Sequence, residues 1–176
     1  MLTIFKKSKI HNIKKISKLV DPFKEDWVNI KNTNCYAYAL GLDASIYDLD
    51  IDEFSPGFTI GEIPNDYSEE SLLEYIVKDL DNLKIDFRFV NDYYKLGTRE
   101  WKMAIYGGQE YTIDSFDDFH FLRQTENGIW MHKQGYYDSP TNMDSKKKVI
   151  ESPSICNIDS DNVKYKYIKT LCLRRF

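Results

Sequence analysis

The 176 residues carry 24 Lys and Arg against 28 Asp and Glu, a formal net charge of -4, with 42% hydrophobic and 15% aromatic residues. That length provides one core rather than two, the apolar fraction excludes a disordered chain, and the negative balance argues against nucleic-acid binding. No stretch approaches the apolar length of a membrane span, and Cys35, Cys156 and Cys172 make no disulfide framework at this size, which suits a reducing compartment.

Residues 1–20 carry six Lys and no acid. Ile10, Ile13, Ile16, Leu19 and Val20 recur near helical spacing, so residues 1–22 are expected to form a basic amphipathic helix lying on its own domain, with His11 solvated. A helix lying on a membrane surface would carry the same pattern. Lys6, Lys7 and Lys9 interrupt any signal-peptide core, so the protein is expected to be cytoplasmic where synthesised and, if its target lies elsewhere, to reach it by a non-classical route. Asp21-Pro22 breaks the helix, and Trp27 in the connector is expected to pack beside the next one.

Asn32-Thr33-Asn34-Cys35-Tyr36-Ala37-Tyr38-Ala39-Leu40-Gly41 reads as a polar cap, a short Ala-rich helix and a glycine stop, which places a thiol at a helix start. Residues 43–81 hold twelve acids against the single base Lys78. This run is expected to be mostly a solvated face, with a basic protein partner as the alternative. Ser55-Pro56-Gly57 marks a turn in a loop that could wall a substrate groove. From Ser68 to Leu83, Leu72, Leu73, Ile76, Val77, Leu80 and Leu83 line one helical face, with Asp66 or Ser68 as cap.

The period then changes to two. Ile85, Phe87 and Phe89, then Trp101, Met103 and Ile105, alternate with other residues as strands do, and Gly107-Gly108 is read as ending the second of these. Phe119-His120-Phe121-Leu122 and Ile129-Trp130-Met131-His132 flank Glu126-Asn127-Gly128, a hairpin signal that sets His120 and His132 on adjacent strands. Residues 138–160 read as loop, and Val163 to Leu173 as a last strand. The expected architecture is α+β: one domain over 1–176, whose helical part (32–83) packs on a mainly antiparallel sheet (85–173).

A thiolate attacks carbonyls better than a thiol does, and both a helix N-terminus and a nearby imidazolium favour it. If the turn register puts both imidazoles on one face, Cys35 is the nucleophile, His120 its base and His132 the group that orients His120. The Cys35 backbone N–H is the default oxyanion donor, Asn34 or Asn32 a second, and Asn142 or Asp144 are alternative orienting groups. Arg123, Gln124, Lys133 and Gln134 are expected to face substrate or solvent. The plainer readings are a buried small hydrophobe for Cys35 and structural histidines for His120 and His132.

The order of a cysteine at a helix start followed by two histidines twelve residues apart across an Asn-Gly turn resembles papain-like peptidases and amidases of the NlpC and CHAP types. In the NlpC type a Cys-His-His triad completes the site; Asn34-Cys35-Tyr36-Ala37 is nearer the CHAP pattern. The chain also resembles a loose group of bacterial proteins with Asn-Cys-Tyr-x-Tyr-Ala-Leu-Gly and Asp-x-His-x-x-Arg-Gln motifs. The resemblance covers residues 32–41 and 101–135. It implies a papain-like fold and hydrolysis of an amide bond in a peptide, in peptidoglycan or in a protein glutamine side chain, without a cofactor. It departs from the NlpC pattern in lacking Ser-Gly after Cys35, lacks a Gly before His120, and has no wall-binding repeat. A zinc site is the first rival, but the Cys and His spacing fits no compact finger, so no metal is expected. Gly107-Gly108 stands without a phosphate loop, so nucleotide binding is weaker still. The rival from another class is an inert papain-like module that binds a protein through its acidic, aromatic surface.

Overall fold

The computed structural model describes residues 33–42, 54–111, 116–124, 126–135 and 138–175. The basic segment 1–22, Trp27, Asn32 and part 43–53 of the acidic run lie outside the described residues. The architecture is α+β. Strands β1 (Asp86–Val90), β2 (Glu100–Glu110), β3 (Phe116–Gln124), β4 (Trp130–Met131) and β5 (Val163–Arg174) form one sheet in the order β1-β5-β2-β3-β4, every neighbouring pair antiparallel. Helices α1 (Cys35–Leu40) and α2 (Glu69–Leu83) and a 3-10 turn (Phe58–Ile60) precede it. Among the described residues, no helix is long and apolar enough to cross a membrane.

The two-residue alternation of β2 sorts its side chains between two cores. Trp101, Met103 and Ile105 join Phe121, Leu171 and Leu173 beneath α1 and α2. Ala104 and Tyr106 face the other way, onto Leu122, Trp130, Ile150 and Ile158. The sheet is therefore covered on both faces: by helices on one, and on the other by the irregular 141–160 segment, whose side chains fill the second core. β2 does not end at Gly107-Gly108. Both glycines are paired on either side, Gly108 with Asp118 of β3 and Tyr165 of β5, and the strand runs on to Glu110.

Helix α2 has the expected boundaries. Ser68 caps it through Ser71, Glu69 and Glu70 occupy the first turn, and Leu72, Ile76, Leu80 and Leu83 are buried. Asp66 instead accepts from the Ser68 N–H. Asp79 lies on the buried stripe with them. Its carboxylate accepts hydrogen bonds from Tyr36 Oη (2.8 Å), Gly57 N (2.7 Å), Thr59 N (3.0 Å) and Thr59 Oγ1 (2.5 Å). Burial holds its pKa above the usual carboxylate range despite these donors. The Pro56 loop is thereby drawn into the core rather than left as a groove wall: Phe54 and Phe58 stack at 4.2 Å and are buried.

A six-residue helix is too short to be stable alone, so α1 depends on bonds from outside it. Asn34 caps its start through Ala37 N (2.9 Å) and is itself tied to Phe54 O (2.6 Å). At its other end Arg123 Nη1 donates to Tyr38 O and Trp101 Nε1 to Ala39 O, each at 3.0 Å. Two sheet side chains thus satisfy carbonyls that a helix end leaves open.

Removing the Asp79 carboxylate strands several buried donors. Asp79→Ala is expected to lower the urea-unfolding free energy by about 3 kcal/mol. Gly57→Ala is expected to destabilise as well, because Gly57 has φ 95° and an added Cβ would meet Glu62 O at 2.4 Å. An unfolding midpoint unmoved in both variants would show that the loop is not anchored through Asp79.

Candidate active site

The candidate site is built where β3 outlasts its neighbour. β4 pairs only with Arg123 and Gln124, so among the described residues no strand pairs with the outer edge of β3 beyond them. The thiol of Cys35, at the start of α1, is placed so that the backbone N–H groups of Phe121, Tyr36 and Cys35 itself favour its ionised form. On the same stretch His120 shares a pleat face with Leu122, across from Tyr106 of β2.

His132 lies just past β4, where it pairs with Thr141 rather than continuing the hairpin. Its ring reaches His120: His120 Nε2 and His132 Nδ1 are 2.7 Å apart, and His132 Nε2 lies 2.9 Å from Met143 O. A carbonyl only accepts, so the His132 proton sits on Nε2 and its Nδ1 must be the acceptor. His120 therefore carries its proton on Nε2, and its Nδ1 remains as an acceptor. The tautomers of both rings are fixed by one backbone oxygen.

The 143–149 turn aims that oxygen. Asp144 accepts from Lys146 N and Lys148 N (2.9 Å each), and Met143 bridges to Val149. Asp144 thus acts on His132 through the turn and by its charge, not as its hydrogen-bond partner, and among the described residues no hydrogen bond joins Asn142 to either imidazole. Asn34 caps α1 through Oδ1 and donates from Nδ2 to Phe54 O. Asn32 lies outside the described residues. Arg123 and Lys133, expected to face substrate or solvent, are 2% and 1% exposed; Gln124 donates to Gly128 O and Gln134 is exposed.

Burial pushes the Cys35 thiol up to about 12, with the Asp118 charge adding to it, against the three N–H donors. Burial thus outweighs the lowering that a helix start favours. Burial also pushes His120 down to about 3, with repulsion from His132 adding to it, and holds His132 below its ordinary value. The resting groups are a neutral thiol and neutral imidazoles. No direct hydrogen bond links the Cys35 sulfur to either ring among the described residues. Cys35 nonetheless keeps partial exposure.

Three further residues are coupled to the thiol electrostatically. Asp118 and Tyr165 are joined by a hydrogen bond, and Lys133 follows His132 directly, near enough for the Cys35 charge to act on it. Only the alternation of Val163, Tyr165 and Tyr167 in the sequence hinted at the second of these. The other cysteines lie elsewhere: Cys156 contacts Tyr106 Oη at 3.3 Å, and Cys172 lies beside Glu100 and Arg88. Among the described residues, no three His, Cys, Asp or Glu side chains cluster as metal ligands would. Comparison with family models, curated proteins and solved structures returned no match.

Both imidazoles are held neutral below their ordinary pKa, whereas the unfolded chain protonates them near pH 6.5. Their contribution to stability is present above that pH and is lost as pH falls from there toward about 3. Urea midpoints measured across this window are expected to fall, and to fall less in His120→Gln. Parallel curves for the two proteins would mean that His120 is not the group responsible.

Proposed function

We propose that the chain is a papain-like cysteine hydrolase that cleaves an amide bond through Cys35, His120 and His132. The observation that carries this reading is the 2.7 Å His120–His132 bond with its imposed tautomer. It leaves His120 Nδ1 to accept a proton while the opposite ring nitrogen is held. A helix-borne cysteine facing an antiparallel sheet whose histidines lie on β3 and just past β4 agrees with it.

In the proposed reaction the thiol proton passes to His120 Nδ1 as Sγ bonds to the substrate carbonyl carbon. The carbonyl oxygen becomes an oxyanion beside the Cys35 N–H. The C–N bond then breaks, the amine leaves with the proton returned by His120, and an S-acyl enzyme remains. Water attacks this thioester while His120 takes its proton, releasing a carboxylic acid and restoring the thiol. Because the resting pair is neutral, proton transfer accompanies attack instead of preceding it. The amide belongs to a peptide, a peptidoglycan crosslink or a protein glutamine side chain, where the leaving amine is ammonia.

The high-lying thiol and low-lying imidazole also favour a second reading, an inert papain-like module that binds a protein partner through its acidic, aromatic surface. Acylation by a p-nitrophenyl ester, followed by intact mass and peptide mapping, separates the two. The hydrolase is expected to acylate at Cys35 and turn over, Cys35→Ala to show no adduct, and His120→Ala to slow acylation by roughly 10²-fold or more. With His120 held near 3, the acid limb of the rate should fall below about pH 5 wherever the protein remains folded. A Cys35 that acylates no faster than a free thiol, with or without His120, leaves the binding module.

A further inference from the structure

We propose that Tyr165 is a positioning residue of this site: its side chain crosses the bare Cα of Gly108 to buttress His120 and to tie down the Asp118 carboxylate. The proposal rests on Cys35 being the reactive group of the reading above. Tyr165 and Asp118 belong to β5 and β3, which β2 separates, so a side chain joining them must span about 10 Å. Gly108 is the β2 residue opposite both. A Cβ there would lie 2.7 Å from Tyr165 Cε1, 2.9 Å from Val163 Cγ1 and 3.0 Å from Asp118 Cβ, so any side chain would block the crossing.

Through that gap the Tyr165 hydroxyl donates to Asp118 Oδ2 at 2.5 Å, and the ring lies against His120 with centroids 5.6 Å apart. Asp118 Oδ1 accepts from Phe119 N at 2.7 Å, so the two carboxylate oxygens are held by neighbours on different strands. Burial, then Asp118, keeps the phenol well above its ordinary pKa, so it stays a donor throughout the working range. The charged and titratable groups that act electrostatically on or with the thiol are Asp118 of β3, Tyr165 of β5 and Lys133 beyond β4. The Asp118 charge also acts on Tyr67 ahead of α2, and Tyr36 on α1 is tied to Asp79. Asp118 is the acid whose charge acts on the thiol. A hydroxyl donating to Oδ2 offsets part of its negative charge.

The test is the pH–rate profile of Cys35 alkylation by iodoacetamide, read by peptide mapping in the full chain. Tyr165→Phe keeps the ring and loses the donor, and it is expected to slow alkylation at a fixed pH near 9 by about threefold to tenfold. Asp118→Asn is expected to speed it by a similar factor, and Tyr165→Phe in the Asp118→Asn background to have no further effect. Urea melts establish that each variant is folded; a misfolded Tyr165→Phe is replaced by Tyr165→Leu, which also removes the donor and carries the same expected slowing. Unchanged profiles, or a Tyr165→Phe effect that persists without the Asp118 charge, overturn the proposal. An Asp118-dependent effect alongside acylation that ignores His120 sinks the hydrolase reading and leaves this coupling standing.

Discussion

The buried Asp79 carboxylate is the interaction on which the helical side of the molecule depends. One side chain on α2 receives Tyr36 from α1 and two residues of the 57–59 turn, so three segments far apart in sequence are fixed by a single acceptor. Desolvating that group is costly, and four donors offset the cost. The helix that starts at Cys35 has no stability of its own to spare. Its direction comes from Tyr36 at this hub and from Arg123 and Trp101 at its far end.

The histidine side is held by different means. There the backbone acts: β4 pairs with β3 only at Arg123 and Gln124, the chain turns at His132 to pair with Thr141, and Met143 presents its carbonyl. A side chain in the Met143 position of this relay would bring its own protonation state. A carbonyl has none, and it sets both imidazole tautomers at every pH at which they are neutral. Burial adds to this by favouring uncharged rings, so the relay and the low dielectric act in the same direction.

Much of this could be read from the sequence where a local rule operates. The α2 stripe, the Asn34 cap, the β2 alternation and the Asn-Gly turn each depend on neighbours within a few residues. The meeting of His120 and His132 followed from the turn, although the strand expected to carry His132 is only two residues long. What failed depends on distant partners. Asp79 was one of twelve acids in a run read as solvated, although its place in register with Ile76 and Leu83 was a signal. Arg123 and Lys133 looked like surface residues because nothing local says what will cover them. Gly107-Gly108 looked like a strand end because the ring that crosses Gly108 comes from more than fifty residues downstream. The thiol is set by both kinds of rule: a helix start favours its ionised form locally, while the burial that opposes it comes from packing with the sheet.

The strand order has a consequence for how the molecule is made. β5 is the last strand in the chain, yet it lies between β1 and β2 and is hydrogen-bonded to both. During synthesis β1 and β2 emerge with the slot between them empty, and their facing backbone edges have no mate until residue 174 has cleared the ribosome. Sheet closure is therefore a late, long-range event, of the kind that slows folding and exposes nascent chains to aggregation. Tyr165 arrives on that same strand. The surroundings of the thiol are completed only after translation has passed it, so an unfinished chain carries Cys35 without the environment that governs its reactivity.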